Sequence, residues 1–220
     1  MRLQYAIIGL STGILVFLTL YPLAMLLYGS FGGMELTLKN YVEALSNPQS
    51  YSLLFNSLIV AVGATLLGAF FGVPLAWFTA RTDMPLRRRL EPLFIIPIFV
   101  SPLIGAIAWV YLAGPKGMLA FLYETAVQSS WPISIYGFPG MIWVEGLYSA
   151  PYIFLYASSA LKSMDPALED ASRMSGVGVK LTTLRITIPL IAPALLSGLL
   201  LAFILSMSAF AVPAILGMPF

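Results

Sequence analysis

Five long apolar runs alternate with shorter polar segments along the chain. Each run has about the 20 apolar residues that a helix needs to cross the hydrocarbon core of a bilayer. The runs are continuous rather than alternating, and a spanning segment must satisfy its backbone hydrogen bonds internally, so we expect helices. The pattern predicts an all-α polytopic membrane protein with one transmembrane domain over residues 1–220 and spans at 5–28, 53–80, 93–113, 137–161 and 186–210.

Lysine and arginine positions predict the orientation of these spans. Basic residues collect in the cytosolic loops of membrane proteins. Nine of them flank one side of the predicted bundle, and only Lys39 and Lys116 flank the other. We therefore expect a multi-pass protein of the inner or plasma membrane, with a cytosolic N-terminus and cytosolic loops that contain Arg81, Arg87, Arg88, Arg89, Lys162, Arg173, Lys180 and Arg185.

Composition supports a lipid setting and excludes several functions. The chain is 60% hydrophobic and 9% charged, and its mean hydropathy is +0.93. Cysteine is absent, which excludes disulfides and thiolate metal sites, and the absence of histidine removes the commonest metal ligand and general base. With a net charge of only +2, we expect the bilayer as a partner and no nucleic acid.

The first external connection carries its own helical signal. In residues 29–52, Tyr41, Val42 and Leu45 have the spacing of a short amphipathic helix that ends before Pro48. The second external connection opens with Gly-Pro-Lys-Gly at 114–117, which predicts a turn.

The cytosolic connection at 162–185 begins with a helix-start pattern. Asp165 precedes Pro166, and Asp caps helices while Pro suits the first helical position. Glu169 and Asp170 then fall in the early turns, where the helix dipole favours negative charge. Taken alone, this pair of acids is better explained as a plain helix cap with no partner.

Small residues and glycines follow the acidic pair. Ala171 and Ser172 allow close packing, and Gly176 and Gly178 predict a turn at which Gly176 needs a positive φ or a close approach. Pro189 opens the next apolar run, 13 positions after Gly176. The segment is therefore predicted to form a short helix–turn–helix outside the bilayer.

The order of these residues resembles the EAA loop of ABC-transporter permeases, through which a membrane subunit grips its ATPase. The family pattern E-A-A, three residues, G, then I-x-L-P is matched here by Asp170-Ala171-Ser172, by Gly176 and by Ile186-Thr187-Ile188-Pro189. The leading Asp is a departure, although Glu169 supplies an acid one residue earlier. The resemblance implies an ATPase-coupling role for Glu169, Asp170, Ala171, Ser172, Gly176 and Pro189.

The same resemblance implies the partners. We expect a homodimer of ABC ATPase subunits that uses ATP, an external or periplasmic solute-binding protein, and a second permease half, either fused or separate. No cofactor is expected to bind directly to this chain. Nothing in the sequence resembles the G-x-x-x-x-G-K-[ST] nucleotide-binding loop, so ATP hydrolysis is expected on a separate subunit and the chain is expected not to be an enzyme.

Other motifs are similar to the ferric-iron branch of these permeases. They include Pro74-Leu75-Ala76-Trp77, Ser101-Pro102 and Tyr136-Gly137-Phe138-Pro139-Gly140. The resemblance points to ferric iron as the solute, while permeases for putrescine or spermidine, thiamine, sulfate or molybdate, and phosphonate share much of the pattern. It also implies an N-terminal fragment of a longer permease, and a membrane scaffold that borrowed the loop is a further alternative.

Two polar residues in the apolar runs are candidates for a translocation pathway. Glu145 lies in the outer half of the fourth run, where a carboxylate costs a few kcal/mol unless it faces a cavity, pairs or is protonated. A structural hydrogen bond to a neighbouring helix and a place on the pathway explain it equally well. Asn56 opens the second run and is the other candidate. An isolated carboxylate without histidine or cysteine lacks a catalytic constellation, which argues against an intramembrane enzyme.

Overall fold

The computed structural model describes residues 2–33 and 37–217. Helices account for 82% of the structure, and no strand occurs among the described residues. The predicted all-α polytopic class is therefore confirmed. The chain divides into two compact units, residues 1–56 and residues 57–220.

The first unit contains α1 (Arg2–Ser30), α2 (Lys39–Ser46) and the first residues of α3 (Pro48–Arg81). Helix α1 runs through Pro22 without interruption. Helix α2 forms where the amphipathic spacing predicted it. It is joined to the end of α1, because the Tyr41 hydroxyl donates to Ser30 Oγ at 2.7 Å.

The second unit contains the remaining helices. After α3 come α4 (Arg87–Ile95), a 3-10 turn (Ile96–Phe99), α5 (Pro102–Ala113), α6 (Met118–Val127), α7 (Phe138–Ser163), α8 (Ala167–Met174), α9 (Val179–Thr182), a π-helical turn (Thr183–Thr187), α10 (Ile188–Met207) and α11 (Ala211–Leu216).

Helix α7 is the centre of this unit, and glycines on its neighbours allow the close approach. A Cβ on Gly72 of α3 would lie 2.7 Å from the Ala150 carbonyl oxygen, and one on Gly198 of α10 would lie 2.9 Å from Tyr156 Cβ. Side chains at these positions would force the helices apart.

The predicted third span is not one continuous helix. Val100 and Ser101 have extended backbone, with ψ of 131° and 130°, between the 3-10 turn and α5. The cause is local: Pro102 disfavours the helical conformation at the residue before it, and it then occupies the first turn of α5. The continuous helix expected over 93–113 is therefore wrong at this point.

Among the residues that the structure describes, four helical segments are long and apolar enough to cross a membrane, namely Ile8–Ser30, Pro48–Arg81, Pro102–Val127 and Val179–Met207. Helix α7, which carries Glu145 and Lys162, is not among these four. Its 26 residues nevertheless give it a length of about 39 Å, more than the roughly 30 Å of a hydrocarbon core. The arrangement of five spans stays a prediction.

Candidate functional site

Helix α8 is a short helix with a defined start and stop. Asp165 Oδ1 accepts a hydrogen bond from the Ala167 amide at 2.9 Å, which confirms Asp165 as the cap. At the other end, Gly176 has φ +81°, and the Gly176 and Val177 amides donate to the carbonyls of Arg173 and Ser172 at 3.0 and 3.2 Å. This is the Schellman arrangement, in which glycine accepts the left-handed conformation at little cost.

The two adjacent acids of α8 point in different directions. Asp170 is exposed, whereas Glu169 is only 6% exposed. Glu169 Oε2 lies 2.9 Å from Arg81 Nε at the end of α3, and Glu169 Oε1 accepts a hydrogen bond from the Thr187 hydroxyl at 2.6 Å. We call these three residues, Arg81, Glu169 and Thr187, the buried clasp.

A second contact joins α8 to the segment after the turn. The hydroxyls of Ser172 and Thr182 lie 2.9 Å apart, and Thr182 is buried. Beyond Thr182 the chain continues as the π-helical turn and then as α10 without a break. Helix α8 is therefore held against α3 on one side and against the start of the α10 segment on the other.

The opposite face of α8 is open to solvent. Asp170 and Ala171 are exposed, Leu168 is 47% exposed and Met174 is 90% exposed. Covering an exposed apolar side chain with a partner removes apolar surface from water, which is favourable. The outer face of α8, formed by Leu168, Asp170, Ala171 and Met174, is therefore suited to docking.

The structure brings most of the predicted coupling residues together, with different roles. Ala171 faces out with Asp170, Ser172 faces the turn, and Gly176 shapes the turn. Pro189 is exposed near the start of α10, two residues after Thr187. Glu169 is an internal anchor rather than a surface residue.

Arg81 and Thr187 of the buried clasp were missed by the sequence analysis. Arg81 was counted only as one of the basic residues that mark the cytosolic side. The available signal was its position directly after the apolar run at 53–80. A basic side chain at such a position faces either water or a buried acid. Nothing local distinguishes these two outcomes, because Glu169 is far away in sequence.

The other predicted site residue, Glu145, lines a cavity of about 250 Å³ in the second unit. It is 6% exposed, and its Oε1 has no hydrogen-bond partner among the described residues. The cavity is also lined by residues of α5, α10 and α11. Asn56 is exposed on α3, and its place on a pathway stays a prediction.

Within residues 2–33 and 37–217, no group of three or more Asp and Glu residues is placed to hold a metal ion.

Apolar helices long enough to cross a membrane, with a buried carboxylate facing a cavity between them, define a polytopic membrane protein with the features of a transport subunit. Residues 64–219 match the family described as "binding-protein-dependent transport system inner membrane component". The match covers more than half of the chain. This protein therefore belongs to that family of importer permeases.

Individual relatives carry more specific names. The spermidine/putrescine transport system permease protein PotB of Escherichia coli (strain K12) is 32% identical over 190 residues, which cover 86% of this chain and 68% of PotB. The inner membrane ABC transporter permease protein YdcU of the same organism is 29% identical over 200 residues, with 84% and 63% covered. The molybdenum transport system permease protein ModB of Mycobacterium tuberculosis (strain ATCC 25618 / H37Rv) is 29% identical over 167 residues, with 76% and 61% covered. The chain thus spans about two thirds of the length of these relatives.

Proposed function

We propose that this chain is the membrane-spanning subunit of an ATP-driven importer and that the outer face of α8 is where its ATPase docks. The proposal rests on one observation, namely that the two faces of α8 have different environments. Glu169 fixes the helix to the bundle, while Leu168, Asp170 and Met174 stay exposed on the cytosolic side that the basic residues indicate.

The geometry gives this docking surface a mechanical use. A short helix clasped to α3 and joined to α10 moves as a unit with both, so a partner that displaces α8 displaces the cytosolic ends of two long helices. Two ATPases that close on ATP would draw paired α8 helices together and rock the bundles, which opens a central cavity outward. Hydrolysis then resets the cavity inward.

The remaining partners follow from this role. An external binding protein delivers the solute, and a second permease half completes the pathway. The names of the relatives favour a polyamine or a molybdenum oxyanion over the ferric iron suggested by sequence motifs. These two solute classes have opposite charge.

The docking surface is tested by reversing a charge on it. In Asp170→Lys we expect co-purification of the ATPase to fall at least about fivefold, because the change places a cation near a helix start. Met174→Ala should weaken co-purification as well, because it removes exposed apolar surface that docking would bury. Expression in the membrane should be unchanged in both variants.

Glu43→Lys is the matched control, since it reverses an exposed acid on α2 at the predicted external side. It should leave ATPase co-purification unchanged. Normal co-purification and normal uptake in both α8 variants would remove the case for this docking surface.

A further inference from the structure

The cavity beside Glu145 contains two buried polar atoms that the protein leaves without partners. Glu145 Oε1 on α7 and Ser206 Oγ on α10 have no hydrogen-bond partner among the described residues, and each residue is 6% exposed. Both residues line the same cavity. Buried polar atoms are hydrogen-bonded in the great majority of cases, so two unpartnered oxygens at one cavity wall are suited to a ligand that donates hydrogen bonds.

Interrupted helices also meet at this cavity. Val100 belongs to the extended break before α5, and Ala209 and Phe210 belong to the non-helical link between α10 and α11. All three residues line the cavity. In a bilayer, non-helical backbone is tolerated where it is buried in protein or lines a water-filled cavity.

A hydrogen bond links Tyr148, which lines the cavity, to the extended backbone before α5. The Tyr148 hydroxyl on α7 donates to the Ser101 carbonyl at 3.2 Å. The same carbonyl also accepts a hydrogen bond from the Gly105 amide at 3.1 Å, so the bond from Tyr148 joins α7 to the start of α5. Tyr148 lines the cavity together with Glu145.

The lining has a clear chemical character. The side chains that matter are one carboxylate, four groups with hydroxyls and one further aromatic ring, from Glu145, Tyr148, Ser149, Tyr152, Ser206 and Phe210. No lysine or arginine occurs among the described residues that line it. A ligand here meets a negative charge, hydroxyl acceptors and aromatic faces.

We propose that this cavity binds a protonated amine of the transported solute, with Glu145 as its counter-ion. The proposal rests on the proposed function, since it names the solute class for that importer. An ammonium group has three N–H donors, which matches the free oxygens of Glu145 and Ser206, and aromatic faces attract cations.

The same lining is poorly suited to the other candidate solutes. An oxyanion such as molybdate would be repelled by the carboxylate and would meet no basic side chain. A ferric ion prefers several anionic oxygen ligands, whereas the cavity offers a single carboxylate. At about 250 Å³ the cavity accommodates one end of a linear amine rather than a bulky solute.

The test is direct binding of amines to the permease–ATPase complex in lipid nanodiscs. The external binding protein is omitted, because it would bind the solute itself. Radiolabelled spermidine and putrescine are the probes, and molybdate and ferric citrate are the competitors. We expect both amines to bind and neither competitor to displace them.

Variants then assign the binding to Glu145. Glu145→Gln keeps the shape and removes the charge, so amine binding should weaken about 10- to 100-fold. Glu145→Asp keeps the charge and should retain most of the binding, which separates loss of charge from misfolding. Glu43→Gln, the exposed acid on α2, should bind as the unchanged protein does.

Each outcome decides one question. Equal binding by Glu145→Gln, or displacement of the amine by molybdate or ferric citrate, would overturn the amine site. Absence of amine binding in a complex that retains its ATPase would overturn the amine site and leave the importer assignment standing. If no ATPase co-purifies with the permease and the permease alone binds amines through Glu145, the site stands and the proposed ATPase coupling is overturned.

Discussion

Replacing Glu169 with glutamine removes the negative charge of the buried clasp and changes little else. Glutamine has nearly the same shape, and its side-chain oxygen can still accept the hydrogen bond from Thr187 that is 2.6 Å long here. Arg81 loses the carboxylate that lies 2.9 Å from its Nε. Arg81 Nη2 already has no hydrogen-bond partner among the described residues, so the guanidinium would be left as an uncompensated buried cation.

The magnitude follows from the burial of both partners. The side chains of Arg81 and Glu169 are 11% and 8% exposed. Removing one partner of a buried ion pair costs about 3–5 kcal/mol, and the slight exposure of this pair places it near 3 kcal/mol. That energy corresponds to a roughly 100-fold rise in the fraction of molecules in which α8 is detached.

Hydrogen–deuterium exchange of residues 165–178 measures this detachment. In Glu169→Gln we expect the amides of α8 to exchange roughly 100-fold faster. Asp170→Asn is the matched control, because it removes the neighbouring charge from the exposed face. The dipole interaction lost there is worth about 0.3–1 kcal/mol, so exchange should rise about fivefold at most.

A double-mutant cycle isolates the pair. Arg81→Gln combined with Glu169→Gln should be less costly than the sum of the two single changes, since neither charge is then left buried alone. Unchanged exchange in Glu169→Gln, or equal acceleration in the Asp170→Asn control, would refute the clasp as the anchor of α8.

Three further predictions concern other parts of the chain. Gly176→Val should abolish transport while leaving membrane expression intact, because a φ of +81° costs a β-branched residue more than about 1–2 kcal/mol. Uptake and expression are measured, and normal uptake would contradict this prediction. Gly72→Ala should lower the thermal unfolding temperature, because the added Cβ would lie 2.7 Å from the Ala150 carbonyl oxygen. Gly9→Ala is the control and should leave this temperature unchanged, because a Cβ there meets nothing within 4 Å. Equal effects of the two substitutions would contradict the prediction. A reporter fused near Asn47 should be external and one near Gly178 cytosolic, and the same side for both would contradict the topology.

Much of the fold could be predicted from local signals in the sequence. The apolar runs located the long helices, the spacing of Tyr41, Val42 and Leu45 located α2, and the glycine after the acidic helix located the positive-φ turn. Each of these depends on residues within a few positions of one another, so periodicity and backbone preference are sufficient to predict them.

The buried clasp was missed because it depends on tertiary placement. Glu169 and Asp170 look equivalent as a pair of acids in the first turn of a helix, and only the position of α3 decides which of them is buried. The break at Val100 and Ser101 did have a local signal, because Pro102 restricts the residue before it. That signal was absorbed into a continuous apolar run, in which hydropathy averages conceal a two-residue interruption.

The π-helical turn at Thr183–Thr187 lies between Gly176 and Pro189 and makes the length of this segment important. Because α9, this turn and α10 form one unbroken helical rod, every residue added or removed within it rotates the preceding part by about 100° around the rod axis. With a residue inserted between Thr182 and Thr187, Thr182 would move to another side of the rod and lose its contact with Ser172. Thr187 would keep its position and its hydrogen bond to Glu169. A single insertion or deletion would therefore change the direction in which the outer face of α8 is presented.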